Sequence, residues 1–255
     1  MFPAHFYGIV KGRLLYGRIL IKEEAHGKRP APAVRLVIDS EVPVARGLGS
    51  SSTCIAGGMA AANAMLGSPF ATDELFQLCT AFEGHPDNAA PAFFGGLTAS
   101  FMHEGKAVAV PFRPDPDWRF AAVIPNYEVR TEEARRIVRR DIDLSAAIHT
   151  MSHAIAMVRG LETGDEALVG AACADVLHEP YRRELIPEYG ALRALAMDLG
   201  AAAFFISGSG STLIAATMSD AKAQAFAGKV REAWPGFDAK VLTVCHEGTT
   251  IRIED

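Results

Sequence analysis

The sequence predicts an α+β protein built from two lobes, and three observations point there. Strand-like and helix-like stretches are mixed without the regular alternation of a doubly wound parallel sheet. Three prolines fall within Pro111–Asp117 (PFRPDPD), a natural break between units. A glycine- and serine-rich turn, EVPVARGLGSSS, joins a β-branched run to a run with helical spacing. The expected lobes are residues 1–113 and 114–255.

Val34–Asp39 (VRLVID) reads as a strand, and Ser51–Leu66 as a helix with Ile55, Met59, Ala62 and Leu66 as its apolar stripe, ended by Gly67-Ser68-Pro69. Ahead of them, Gly12–Glu24 reads as a helix and Ala25–Pro32 as a polar turn. Thr72 is the expected N-cap of a second helix that carries Leu75, Leu78, Cys79 and Phe82 on one face and stops at Gly84. A loop, EGHPDNAAPAFFGG, leads to a strand at Leu97–Met102 and a turn at His103–Lys106. In the second half a strand is expected at Phe120–Ile124 and a short helix from Thr131. Further helices are expected at Leu144–Arg159, Glu166–Leu177 and Tyr189–Leu199. Two strands within Ala201–Met218 flank ISGSGST, followed by a helix at Ala221–Trp234 and a strand at Ala239–Cys245.

Composition excludes several classes. A net charge of −5 on 255 residues gives no electrostatic footprint for nucleic acid or an anionic membrane surface. No apolar run approaches the ~18 residues of a membrane-spanning helix, and no signal-peptide core opens the chain, so a cytoplasmic location is the default expectation. Cys54, Cys79, Cys173 and Cys245 form no C-x-x-C pair and read as small buried core residues. His149 and His153 share a helix face, but no acid lies between them, and they read as ordinary helix-face histidines.

Four stretches carry chemistry. At Gly47–Ser52 a strand turns into a helix. Glycines let backbone approach an oxyanion, and the free N–H groups and dipole of a first helical turn favour phosphate. The loop lacks the Gly-Lys-Ser/Thr of a Walker A motif and the spacing of G-x-G-x-x-G. A plain turn has the same composition, and spacing alone leaves both readings open. Glu83 falls at a helix C-terminus, where the dipole disfavours an acid unless a cation such as Mg²⁺ sits nearby; His85, Asp87 and Asn88 crowd the turn that follows. Its alternative is a polar loop with local hydrogen bonds. ISGSGST at Ile206–Thr212 suits close approach to a ligand or to the first glycine loop, or else a tight hairpin. Arg130–Arg135 and Glu179–Arg182 place arginines at expected helix starts, which invites an anion; the alternative is surface pairing with Glu132, Glu133 and Glu184.

Taken together and in order, these segments resemble the GHMP kinases. PVARGLGSSS is similar to the family's phosphate-binding motif and ISGSGST to its glycine-rich third motif, while EGHPDNAAPAFFGG, VRTEEAR and HEPYRRELIPEYGALR resemble its homoserine kinases in particular. The resemblance runs from about Pro32 to the C-terminus. It implies a two-lobed fold, with an N-terminal lobe like the second domain of ribosomal protein S5 and a ferredoxin-like C-terminal lobe. It implies transfer of the ATP γ-phosphoryl to the hydroxyl of L-homoserine, in threonine biosynthesis. ATP would lie on Pro43, Arg46, Gly47, Leu48, Gly49, Ser50, Ser51 and Ser52, and Mg²⁺ on Glu83 and Ser51. His85, Asn88, Thr131, Arg135, Arg182, Gly208 and Gly210 would surround homoserine, the two arginines on its carboxylate. Relatives such as mevalonate kinase carry an aspartate base near the position of Asn88, and an amide cannot take that proton, so catalysis would rest on Asn88, Glu83 and Ser51 without a strong side-chain base.

Two departures stand out. Ser211 replaces the proline that usually follows Gly-Ser-Gly, implying a slightly looser turn. Met1–Ala31 shows no first motif, and such kinases usually carry roughly fifty more residues at the start. The resemblance therefore implies a chain shortened at its N-terminus with weakened adenine and homoserine sites. It leaves open a kinase for another small alcohol, a nucleotide-binding protein without turnover, and a homodimer.

Overall fold

The computed structural model of the chain describes residues 7–8, 17–24 and 33–252, with side chains from Val37 onward. The first expectation to fall is the helix at Gly12–Glu24. Gly17–Glu24 is a strand, β2, paired antiparallel over its whole length with β3 (Ala33–Ser40), from Gly17 opposite Ser40 to Glu24 opposite Ala33. Its β-branched Ile19 and Ile21 favour an extended backbone, and a partner strand satisfies the ladder. The remainder of that expected helix and the turn at Ala25–Pro32 lie outside the described residues.

Helix α1 (Ser50–Met65) follows the glycine loop, and α2 (Thr72–Glu83) packs beside it. The buried side of α1 is only in part the predicted stripe: Ile55 and Met59 pack against the core half-buried, while Ala62 and Leu66 are exposed. Ser52, Ala56, Ala60 and Asn63 face inward, while Leu66 stands 72% exposed. Small residues let α1 lie close to its neighbours, so size rather than hydrophobicity selects the inner face. In α2 the inner residues are Leu75, Phe76, Cys79 and Thr80, and the predicted Leu78 and Phe82 are exposed. The α2 N-cap is Ala71, one residue before the expected Thr72, and its N–H is taken by Glu74 Oε2 at 2.8 Å. The stretch expected as a loop holds a short helix, α3 (Ala89–Phe94). Strand β4 (Leu97–His103) then hairpins into β5 (Lys106–Phe112), a strand not expected from the sequence, and β1 (Tyr7–Gly8) completes the order β1-β4-β5. Phe76, Cys79, Ala89, Ala90 and Phe93 form the core of this half.

The second half is built on a four-stranded antiparallel sheet. Its strands are β6 (Arg119–Ile124), β7 (Ala203–Ile206), β8 (Leu213–Thr217) and β9 (Asp238–Leu242), in the order β7-β8-β6-β9. Its helices are α4 (Thr131–Arg136), α5 (Leu144–Thr163), α6 (Glu166–Ala172), α7 (Glu179–Arg182), α8 (Tyr189–Asp198) and α9 (Asp220–Ala233). Helix α6 is shorter than expected, because the chain leaves it at Cys173, and β9 ends before Cys245. The strand order is that of a split β-α-β sheet, as the ferredoxin-like expectation requires.

Period-two alternation sends the strands' side chains to both faces, and both are covered. Ala121, Val123, Phe204 and Leu213 join Leu192 of α8 and Phe226 and Val230 of α9 on one side. Phe120, Ala122, Ile214 and Leu242 join Trp118 and Val169 on the other, with Val42 and Leu48 packed against them. Leu48 thereby anchors the glycine loop to the second sheet. The chain after β9 returns to the first half: Gly96 N–H donates to Cys245 O at 2.7 Å, and Thr249 Oγ1 to Ala92 O at 2.9 Å.

Candidate active site

The loop before α1 is shaped by positive φ angles at Gly47 (75°) and Gly49 (73°), the second being the N-cap position of the helix. Its partner is the turn at residues 207–210. Ser207 Oγ donates to Gly47 O at 2.8 Å, and Thr212 N–H donates to Arg46 O at 3.2 Å. ISGSGST is both the turn of the β7–β8 hairpin, with Ile206 opposite Leu213 and Ser207 N–H donating to Thr212 O at 2.9 Å, and a close neighbour of the first glycine loop. Ser211 is fully buried and donates to Tyr127 O at 2.7 Å, so the turn is pinned there rather than loosened.

Arg46 turns away from the helix entrance. Its Nε donates to Pro125 O at 3.1 Å, its Nη2 to Asn126 O at 3.4 Å, and it pairs with Glu128 at 3.3 Å. It holds the loop to the segment after β6. Pro43 is half-buried, and Ser50 is the first residue of α1.

At the helix entrance the hydroxyls of Ser51 and Ser52 donate to the two oxygens of Glu83, each at 2.9 Å. Glu83 is the last residue of α2, as expected, at the negative end of that helix. A methyl group built on Gly49 would stand 3.6 Å from Asn88 Oδ1, so the turn after Glu83 closes over the loop. Asn88 occupies the N-cap position of α3, and its N–H donates to Asp87 Oδ1 at 3.0 Å.

His85 joins the two halves. Its Nδ1 makes a short contact with Asp87 Oδ1, and its Nε2 lies 2.9 Å from Arg135 Nη2. The hydrogen bond to Asp87 raises the His85 pKa above its ordinary value, against burial and the Arg135 charge. Thr131 Oγ1 lies 3.4 Å from Ser209 Oγ, which sets α4 against the second glycine turn.

The arginines are placed differently from the expectation. Helices α4 and α7 are so short that Arg135 and Arg182 fall in their last turns, where a cation is favoured, so the helix-start argument for an anion does not hold. Arg135 is exposed. Arg182 is 7% exposed, and donates through Nε to Ala134 O at 3.2 Å and through Nη1 to Gly208 O at 2.8 Å. It is neither a surface salt bridge nor an open clamp; it ties α4 to the 207–210 turn.

Sequence reasoning passed over the supports. Glu179, half-buried at the start of α7, accepts from Tyr189 Oη in a short bond and from Ile206 N–H at 3.3 Å. Burial raises its pKa above the ordinary carboxylate value. Asp175 accepts from the N–H groups of Leu177 and His178 at 3.0 and 2.9 Å. An acid two to four residues before a short Pro-bearing helix was the available signal. Among the cysteines, Cys79 is buried with its thiol pushed up to about 11 by burial, but Cys54 is exposed on α1, against expectation. His149 and His153 stack at 3.6 Å between ring centres, and His149 bonds to Ala174 O, an ordinary helix-face pair. Among the described residues no cluster of His, Cys, Asp and Glu forms a metal cage, and no helix is long and apolar enough to cross a membrane.

Comparison with known proteins agrees with this arrangement. The model for the GHMP kinases N terminal domain matches residues 13–96, and that for GHMP kinases C terminal matches residues 157–236. The homoserine kinase of Thermosynechococcus vestitus is 40% identical over 231 residues, covering 88% of this chain and 75% of that protein. The homoserine kinase of Synechocystis sp. is 39% identical over 249 residues, covering 94% and 79%. Among solved structures, homoserine kinase from Cytophaga hutchinsonii superposes with a TM-score of 0.79 at 28% identity, over 85% of this chain and 72% of that one. L. major mevalonate kinase shares the fold at 15% identity, with a TM-score of 0.67 over 86% of this chain and 72% of that one.

Proposed function

Because the chain belongs to the GHMP kinase family, as one of its homoserine kinases, we propose that the glycine loop, Glu83 and the His85–Arg135 corner form one active site. The reaction transfers the γ-phosphoryl group of ATP to the side-chain hydroxyl of L-homoserine, a step of threonine biosynthesis. The observation that carries the assignment of residues is the meeting of three distant stretches. Residues 83–88 and 207–210 each touch residues 47–52 at the entrance of a 16-residue helix.

The N–H groups of the first turn of α1, from Ser50 to Ser52, face outward from a helix N-terminus and suit the phosphates of ATP. Ser51 and Glu83 supply a hydroxyl and a carboxylate, the hard oxygen donors that Mg²⁺ takes, and the acid sits where a nearby cation is favoured. Mg²⁺ bound there would neutralise charge on the transferring phosphoryl group. On the acceptor side, exposed Arg135 is the group for the carboxylate, with His85, Asn88 and Thr131 around it. Arg182, Gly208 and Gly210 act through the backbone they fix. Arg46 holds the loop in place, and Leu48 roots it in the core.

Asn88 has no proton-accepting oxygen of adequate basicity. Transfer through a loose transition state needs alignment and charge stabilisation more than a base, and this site offers both. The lobes are assigned to residues 1–113 and 114–255. In support, β4 and β5 end before residue 113, and the four-stranded sheet begins after it.

The test is ADP release with L-homoserine, mevalonate, galactose and threonine offered in turn. Turnover is expected with homoserine and not with the other three. A chain that releases no ADP in response to homoserine removes the reading.

A further inference from the structure

His85 sits between a carboxylate and a guanidinium. Its Nδ1 meets Asp87 Oδ1, and its Nε2 stands 2.9 Å from Arg135 Nη2. A guanidinium nitrogen only donates. The Nε2 atom that receives it must present a lone pair, so the single ring proton lies on Nδ1 and is donated to Asp87. A neutral imidazole in water favours the opposite tautomer. Something has to hold this one, and the Asp87 carboxylate is placed to do so. It is fixed from a second side by the Asn88 N–H at 3.0 Å, and it is only 17% exposed.

The arrangement spans the two halves of the chain. Asp87 and His85 lie in the turn between α2 and α3, and Arg135 lies on α4. The charges around the ring are Glu83 from the end of α2, Asp87 from its own turn, and Arg135 from α4. An arginine side chain has many rotamers, and ordering one for a ligand costs about 1 kcal/mol or more of freedom. A fixed acceptor at His85 removes much of that loss before the ligand arrives.

Resting on the reading that Arg135 meets the carboxylate of the acceptor, we propose that Asp87 is a positioning residue. It locks His85 in the Nδ1–H tautomer, and the bare Nε2 so produced holds the Arg135 guanidinium ready for an amino-acid substrate. Asp87 does not touch the reacting atoms. It acts through His85, and its removal frees the guanidinium rather than the phosphoryl donor.

The experiment has two arms on the full chain. In the first, histidine labelled with ¹⁵N is incorporated and long-range ¹H–¹⁵N correlations are read at about pH 9, above the ordinary imidazole range. Loss of one ring's signals in His85→Gln assigns them. The proton is expected on Nδ1 in the unmodified protein and on Nε2 in Asp87→Ala. In the second arm, Asp87→Ala and Asp87→Asn are expected to raise the KM for homoserine about tenfold, the worth of one lost charge-assisted bond, with kcat and the KM for ATP within about twofold. Asp87→Asn keeps an oxygen for the Asn88 N–H and serves if the alanine variant does not fold. A proton on Nε2 in the unmodified protein overturns the proposal. So does an unchanged homoserine KM, or an equal rise in both KM values. If no variant turns over homoserine, the role given to the lock falls with the acceptor reading. The spectrum then distinguishes that failure from a wrong tautomer.

Discussion

Gly47 and Ser207 are pressed together across 160 residues of chain: the Ser207 hydroxyl donates to Gly47 O at 2.8 Å, and a methyl group on Gly47 would stand 2.1 Å from Ser207 O. Gly47 also has φ 75°, which a larger residue adopts only with strain. Gly47→Ala is therefore expected to destabilise the protein by about 3 kcal/mol, the sum of backbone strain and overpacking. Urea unfolding measures it. A change within about 0.5 kcal/mol would show that the two loops separate freely.

Glu83 accepts from Ser51 and Ser52, and it is the carboxylate assigned to the metal. Glu83→Gln keeps the shape and removes the charge. It is expected to lower kcat by about 100-fold at saturating substrates, in the range of one lost electrostatic stabiliser. The Mg²⁺ concentration for half activity should rise with it. Normal kcat at an unchanged Mg²⁺ requirement would move the metal elsewhere.

Arg135 and Arg182 should separate cleanly. Arg135→Ala is expected to raise the KM for homoserine by about 30-fold, the loss of one charged hydrogen-bonding group, and to leave the KM for ATP within twofold. Arg182→Ala should act mainly on stability. It leaves the carbonyls of Ala134 and Gly208 without their donor in a buried place, a loss of about 2–3 kcal/mol. Thermal melting and steady-state kinetics on both variants decide. Equal kinetic effects with no loss of stability in Arg182→Ala would make it a direct substrate ligand.

Two acids near α7 pull stability in opposite directions with pH. Burial raises the Glu179 pKa, so the folded state binds its proton more readily than the unfolded chain, whose value is 4.5. Its contribution is fully present below about 4.5 and is lost as pH rises through the folded value. For Asp175, burial acts upward but is outweighed by the His178 charge and the backbone N–H bonds, and the pKa falls below 3.8. That contribution is present above about 3.8 and is lost as pH falls through the folded value. Glu179→Gln should therefore flatten the stability profile just above pH 4.5 while leaving the acid limb intact. Urea midpoints across pH 3 to 7 would show it, and a profile unchanged by the substitution would put the titration on another group.

The chemistry-bearing turns were legible because their composition is dictated by backbone geometry. Gly47, Gly49 and Gly210 stand at positive φ, and no pattern of hydrophobicity is needed to find them. The α-helices of the second half were legible from their spacing, whereas the cap at Asp143, whose carboxylate accepts from Ser145 N–H, is seen only in the structure. What was hidden depends on partners distant in sequence. The strand at Gly17–Glu24 has apolar residues that suit a helix or a strand, and pairing with β3 decides. The inner face of α1 is set by how closely its neighbours approach, which Ser52 and Ala56 permit and Leu66 does not. The burial of Arg182 follows from the Gly208 turn lying beneath it, 26 residues away in the chain.

The dependence of the glycine loop on Thr212 and Ser207 orders events during synthesis. The loop whose serines are assigned to ATP precedes the residues that give it its shape by about 155 to 166 positions. At the roughly 5–20 residues per second of translation, that gap lasts on the order of ten to thirty seconds. Through that interval the nascent N-terminal half carries the loop's sequence without its mould, and a nucleotide bound as proposed would reward folding only once the second sheet has arrived.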